Sequence, residues 1–166
     1  MDHFMQLPVL LLKQQTLLEV KSCNDYTAKY GLVLSDQEIG ELVESRREAL
    51  QDYGRVELGG GILKKLIMEF ADSPYLLQDN YANTLAELQE CFYYFKNEAL
   101  EDITDDDLIL LMKKFFDDEC QGSVEYLETT ILENICRDIR YGTDEYWHQD
   151  GYEDDYTEFF DDGAND

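Results

Sequence analysis

The chain has 166 residues, 44% hydrophobic and 13% aromatic, enough to bury one sizeable core. Its 38 Asp and Glu outnumber 13 Lys and Arg, which gives a formal net charge of −25. A field of that sign repels DNA, RNA and anionic lipid, and favours basic proteins or cations as partners.

The first apolar run, Val9–Leu12, is ended by Lys13. It is too short for a signal-peptide core, and nothing approaches the roughly 20 apolar residues of a membrane span. Cys23, Cys91, Cys120 and Cys136 form no Cys-x-x-Cys pair. That pattern suits reduced, partly buried thiols in a cytoplasmic protein.

In chain order, residues 9–22 are expected to be helical. Asn24 is a candidate cap for a short helix that Gly31 stops. Ser35 and Glu38 make a capping box, with Leu34 and Ile39 at the staple positions. Ile39, Leu42, Val43, Ala49, Leu50 and Tyr53 then recur at helical spacing up to Gly54. Arg55-Val56-Glu57-Leu58 alternates like a short extended piece, and Gly59-Gly60-Gly61 reads as a loop. Ile62, Leu63, Leu66, Ile67 and Phe70 mark a helix that must end before Ser73-Pro74. Asp79 or Asn80 is expected to cap the longest helix, striped by Tyr81, Leu85, Leu88, Phe92, Phe95 and Ala99. Thr104 caps the next, whose apolar face is Leu108, Leu111, Met112 and Phe115. After Gly122-Ser123, the residues Val124, Leu127, Ile131, Ile135 and Ile139 carry a last helix to about Arg140. The expectation is therefore an all-α compact bundle of five to six helices within residues 1–140.

Composition shifts at Tyr141. From Asp144 to Asp166 there are ten acidic residues and no Lys or Arg, with Tyr146, Trp147, Tyr152, Tyr156, Phe159 and Phe160 between them. High charge without aliphatic residues cannot offset ordering entropy, so a disordered tail over 141–166 is expected. Acid mixed with aromatics also suits docking into a basic, apolar groove. A purely solubilising tail is an equal alternative.

Three stretches resemble an uncharacterised bacterial family of small acidic cytoplasmic proteins, a domain of unknown function. They are Gly54–Gly61, Asp72-Ser73-Pro74-Tyr75 and Cys91–Glu98. The resemblance spans Ser35 to Arg140 and implies a bacterial, intracellular setting. It implies no activity and no functional residues, and the acidic tail lies outside it.

Histidine narrows the chemistry. His3 and His148 lie near the two ends and the body between has none, so Ser-His and Cys-His catalysis and His-based zinc sites lack a held imidazole. An all-carboxylate metal site survives that exclusion. Glu41, Glu44, Glu69 and Asp72 are spaced like the paired acids that hold Mg²⁺ in all-α nucleotide pyrophosphohydrolases. With 38 acids such spacing arises by chance, and a solvated helix face is the expected reading. Asp117, Glu119, Gln121 and Glu128 fall at calcium-loop positions around Gly122, although Glu and Gln replace the shorter ligands of an EF-hand. A Gly-Ser turn between helices is the simpler reading. Gly59–Gly61 ahead of Lys64 and Lys65 could cradle a phosphate, but the P-loop pattern is missing. Arg46, Arg47, Arg55, Lys64 and Lys65 concentrate positive charge, or balance neighbouring acids. Tyr93 and Tyr94 turn away from the stripe and could line a groove.

The leading expectation is a non-enzymatic interaction module with a basic protein partner and no cofactor, no direct nucleic-acid contact and no membrane. Its sharper form is a charge mimic of nucleic acid. The alternatives are a Mg²⁺-dependent pyrophosphohydrolase-like enzyme and a single EF-hand-like calcium protein.

Overall fold

The computed structural model describes residues 2–98 and 100–140. The tail aromatics from Tyr146 to Phe160, and Ala99, lie outside the described residues. Among the described residues there is no strand, and six helices have eight residues or more. Among the described residues, no helix is long and apolar enough to cross a membrane. The chain divides into two compact units, Met1–Val124 and Glu125–Asp166, with the break beside Gly122-Ser123.

In the first unit, α1 (Asp2–Ser22) is the longest helix, at 21 residues. A short α2 (Asn24–Thr27) runs into a 3₁₀ turn that Gly31 ends at φ 79°. Asn24 does not cap α2. Its side chain instead pairs with the backbone of Leu34, accepting from N at 2.9 Å and donating to O at 3.0 Å. That pairing closes the loop ahead of the next helix.

The capping box forms at the start of α3 (Asp36–Tyr53), with Leu34 and Ile39 buried beside it. The buried stripe of α3 is Ile39, Leu42, Val43 and Arg46. An arginine thus occupies the i+7 position of an apolar face, and its charge is carried inward.

α4 (Gly61–Phe70) is the centre of this unit. It packs against α1, α2, α3, α5 (Tyr81–Glu98) and α6 (Asp105–Asp117), and buries Ile62, Leu63, Leu66, Ile67 and Phe70. A helix hemmed in on so many sides needs a wide apolar surface, which the paired positions 62/63 and 66/67 supply. Asn80 ends a 3₁₀ turn ahead of α5, and its side chain accepts from Leu77 N at 2.9 Å.

Thr104 caps α6 by accepting from Asp107 N. Phe116, not Phe115, completes the apolar face of α6, edge-on to Phe70 at 5.3 Å. Gly122, at φ 88°, lies where a Cβ would collide with the Tyr75 side chain, so both backbone and space require glycine there.

From Val124 the chain forms α7 (Val124–Tyr126), a π-helical turn over Leu127–Leu132, and α8 (Glu133–Arg140). The extra residue in the π turn shifts the stripe by one. Leu132, Ile135 and Cys136 are buried, while Ile131 and Ile139 are only half-buried. All four cysteines are buried, and burial pushes the Cys120 thiol up to about 11.

The central place of α4 sets an ordering of substitution costs. Leu66→Ala is expected to cost about 3 kcal/mol through the cavity it leaves, whereas Ser35→Ala, which removes only the α3 cap, costs about 1 kcal/mol. Urea titration of the two variants checks the order; equal losses would contradict it.

Candidate functional site

The segment Arg55–Leu58, between α3 and α4, alternates in exposure with its apolar side turned outward. Val56 and Leu58 point out, 88% and 83% exposed, while Arg55 and Glu57 point in. The Glu57 carboxylate is 7% exposed. Its Oε1 accepts from Arg46 Nε at 3.0 Å and Ile62 N at 3.1 Å, and its Oε2 from Arg55 Nη2 at 2.9 Å. The Tyr93 hydroxyl lies 2.9 Å from both oxygens. Burial, and then the charge of Glu57, holds the Tyr93 phenol far above its ordinary range. Arg55 also reaches Asp105 at 3.0 Å, and Lys96 pairs with Asp105 at 3.5 Å. One buried network therefore ties α3, α4, α5 and α6 together.

That network decides the glycine loop. The N-terminus of α4 is already served by the protein's own carboxylates. Glu57 takes the Ile62 amide, and Glu19 takes the Gly60 amide at 2.8 Å. A Cβ on Gly61, at φ 53°, would collide with Glu57 and Arg46. The glycines thus admit internal carboxylates, and those carboxylates stand where a phosphate would have to bind. Beside this loop lies a cavity of about 680 Å³ bordered by Leu58, Lys64, Lys65, Met68, Glu69 and Asp106. Its charges are largely matched across it, Lys65 sitting 2.7 Å from Asp106.

A different surface carries unmatched charge. On α3, Glu41, Ser45, Glu48 and Asp52 repeat at steps of four, three and four, which places them on one face. On α5, Asn83, Glu87, Glu90, Tyr94 and Glu98 do the same. The two helices pack together, and a groove of about 210 Å³ runs between them, bordered by Ser45, Glu48, Asp52, Tyr53, Gln89 and Glu90. No Lys or Arg lines it. Burial, followed by Glu98, Tyr94, Asp52 and Glu90, raises the Tyr53 phenol above its ordinary value. Every one of those neighbours pushes in the direction of negative potential. Gln89 is 2% exposed. Its Nε2 donates to Leu42 O at 3.3 Å, while its Oε1 is buried without a partner.

Several of the carboxylates marked as metal candidates are taken up by the protein's own cations. Glu44 is held by Arg47 at 2.6 Å, which keeps its carboxyl below the usual range. Glu41 lies on the exposed stripe of α3 and accepts from Gln37. Burial raises the Glu69 carboxyl, and Asp72 pairs with Lys113 at 2.8 Å. Asp117 pairs with the same Lys113 at 3.0 Å and accepts from Ser73 Oγ at 2.6 Å. Glu119 and Gln121 are exposed in the turn after α6, and Glu128 is exposed in the π-helical turn. Among the described residues, no group of three His, Cys, Asp or Glu is placed to hold a metal ion.

The hub Glu57 and the groove residues Glu48, Asp52, Tyr53, Gln89 and Glu90 were not singled out from sequence. The signal for the stripes was a run of acidic and other polar residues at helical spacing on each helix, which acquires meaning only once α3 and α5 are known to be neighbours. Tyr93, expected to face a groove, borders the one between α3 and α5 while its hydroxyl lies on Glu57, whereas Tyr94 is exposed outside that lining.

A family model described as "Family of unknown function (DUF6323)" matches residues 19–145. No curated protein and no solved structure matches the chain.

Removing the hub carboxylate leaves Arg46 and Arg55 without their shared counter-charge. Glu57→Ala is therefore expected to cost about 3–5 kcal/mol, read as a lower urea midpoint. A midpoint within error of the parent chain would contradict the hub.

Proposed function

The chain belongs to this family of unknown function, and we propose that it is a non-enzymatic interaction module that binds a basic protein partner through the acidic face of α3 and α5. The observation that supports the reading is how charge is distributed between inside and outside. Arg46, Arg55, Lys96 and Lys113 are each turned onto an internal or half-buried carboxylate. The carboxylates of the two stripes stand on the surface instead, with a cation-free groove between them. Such a face attracts cationic surfaces at long range and orients them on approach.

A sharper form is a mimic of nucleic acid. Carboxylates spaced roughly 5–12 Å apart along each axis would stand in for phosphates and occupy the binding surface of a DNA- or RNA-binding protein. The fit is electrostatic, so it weakens with salt over the Debye length, about 10 Å at 0.1 M.

A ten-residue peptide of mixed Lys and Arg, titrated by calorimetry, tests the reading. Binding is expected at low salt, to weaken about tenfold or more on raising salt severalfold, and to be lost in the triple variant Glu48→Lys, Asp52→Lys, Glu90→Lys. Thermal melting confirms that the variant is folded. Undiminished binding to the folded triple variant would contradict the reading.

A further inference from the structure

We propose that the groove between α3 and α5 is a pocket for a single arginine side chain of the partner, with the buried amide of Gln89 reading the guanidinium. The inference rests on the basic-partner reading above and assigns its chemistry.

The first ground is the unpartnered acceptor. Gln89 borders the groove, and its buried Oε1 accepts no hydrogen bond. Flipping the amide would not cure this, because Nε2 would then lose Leu42 O. A buried acceptor left without a donor carries an uncompensated desolvation cost. A ligand N–H entering the groove removes that cost.

The second ground is the kind of donor the groove fits. A groove of about 210 Å³ has room for one long side chain. The acceptors are spread over two helices: Ser45, Glu48 and Asp52 from α3, and Gln89 and Glu90 from α5. A metal ion needs converging ligands, and these do not converge. A guanidinium presents five N–H groups in a planar fork, which suits acceptors distributed around a slot. An ammonium offers three from a single point. Tyr53, which borders the groove, adds an aromatic partner for the planar cation.

The test is a titration of the full chain with acetyl-arginine amide and with acetyl-lysine amide, followed by the Gln89 side-chain amide and Tyr53 ring signals in NMR. The arginine compound is expected to bind at least about fivefold more tightly and to move the Gln89 amide. Gln89→Met, which keeps the volume and removes Oε1, is expected to weaken arginine binding about tenfold while changing lysine binding little. If Gln89→Met fails to fold, the exposed variant Tyr53→Leu takes its place and is expected to narrow the arginine preference. Equal affinity for the two compounds, or arginine binding that leaves the Gln89 amide unmoved, overturns the pocket. The basic-peptide titration with the triple charge reversal separates that failure from failure of the functional reading. Peptide binding that survives the reversal sinks the reading itself, whereas peptide binding lost on reversal without an arginine preference sinks only the pocket.

Discussion

The carboxylate of Glu57 is the interaction on which the first unit is organised. It accepts from Arg46 on α3, Arg55 in the segment between α3 and α4, the Ile62 amide at the start of α4 and the Tyr93 hydroxyl on α5. A buried charge is tolerated only when its lone pairs are met by donors, and here four segments each bring one. The arrangement explains why Arg55–Leu58 turns its charged side inward and its apolar side outward. It also explains why Gly61 must be a glycine and why the α4 N-terminus needs no external anion.

The same constraint shapes the exterior. An acidic chain has few cations, and several of these are consumed as counter-charges to carboxylates in or near the core. Arg46 is drawn inward by its position on an apolar stripe, and Lys113 serves both Asp72 and Asp117. Arg47 on α3 is spent on Glu44, and the groove between α3 and α5 is left lined by acids with no Lys or Arg among them. A negative face thus follows from how the interior is neutralised, as well as from composition.

Much of the fold was legible in the sequence. The capping box at Ser35, the cap at Thr104, the stripes of α4 and α5, and the stops at Gly31 and Gly54 were all visible, because local geometry and helical period determine them. Three features were not. The π-helical turn shifts burial from Ile131 to Leu132, and nothing local marks an inserted residue. Arg46 sits at the i+7 position of an apolar face, where only the partner Glu57 makes an arginine tolerable. Asn24 resembles a cap but pairs with Leu34 ten residues on, a contact that depends on chain closure. The groove belongs to the same class: its two stripes are readable one at a time, and their adjacency is a tertiary fact.

The most direct measurement is a map of backbone amide shifts as a short arginine- and lysine-rich peptide is titrated into the full chain at low salt. The account predicts that the largest changes cluster at Ser45, Glu48, Asp52, Tyr53, Gln89 and Glu90 and fade as salt is raised. Changes spread evenly over all acidic residues, or centred on the cavity beside Lys64 and Glu69, would contradict it.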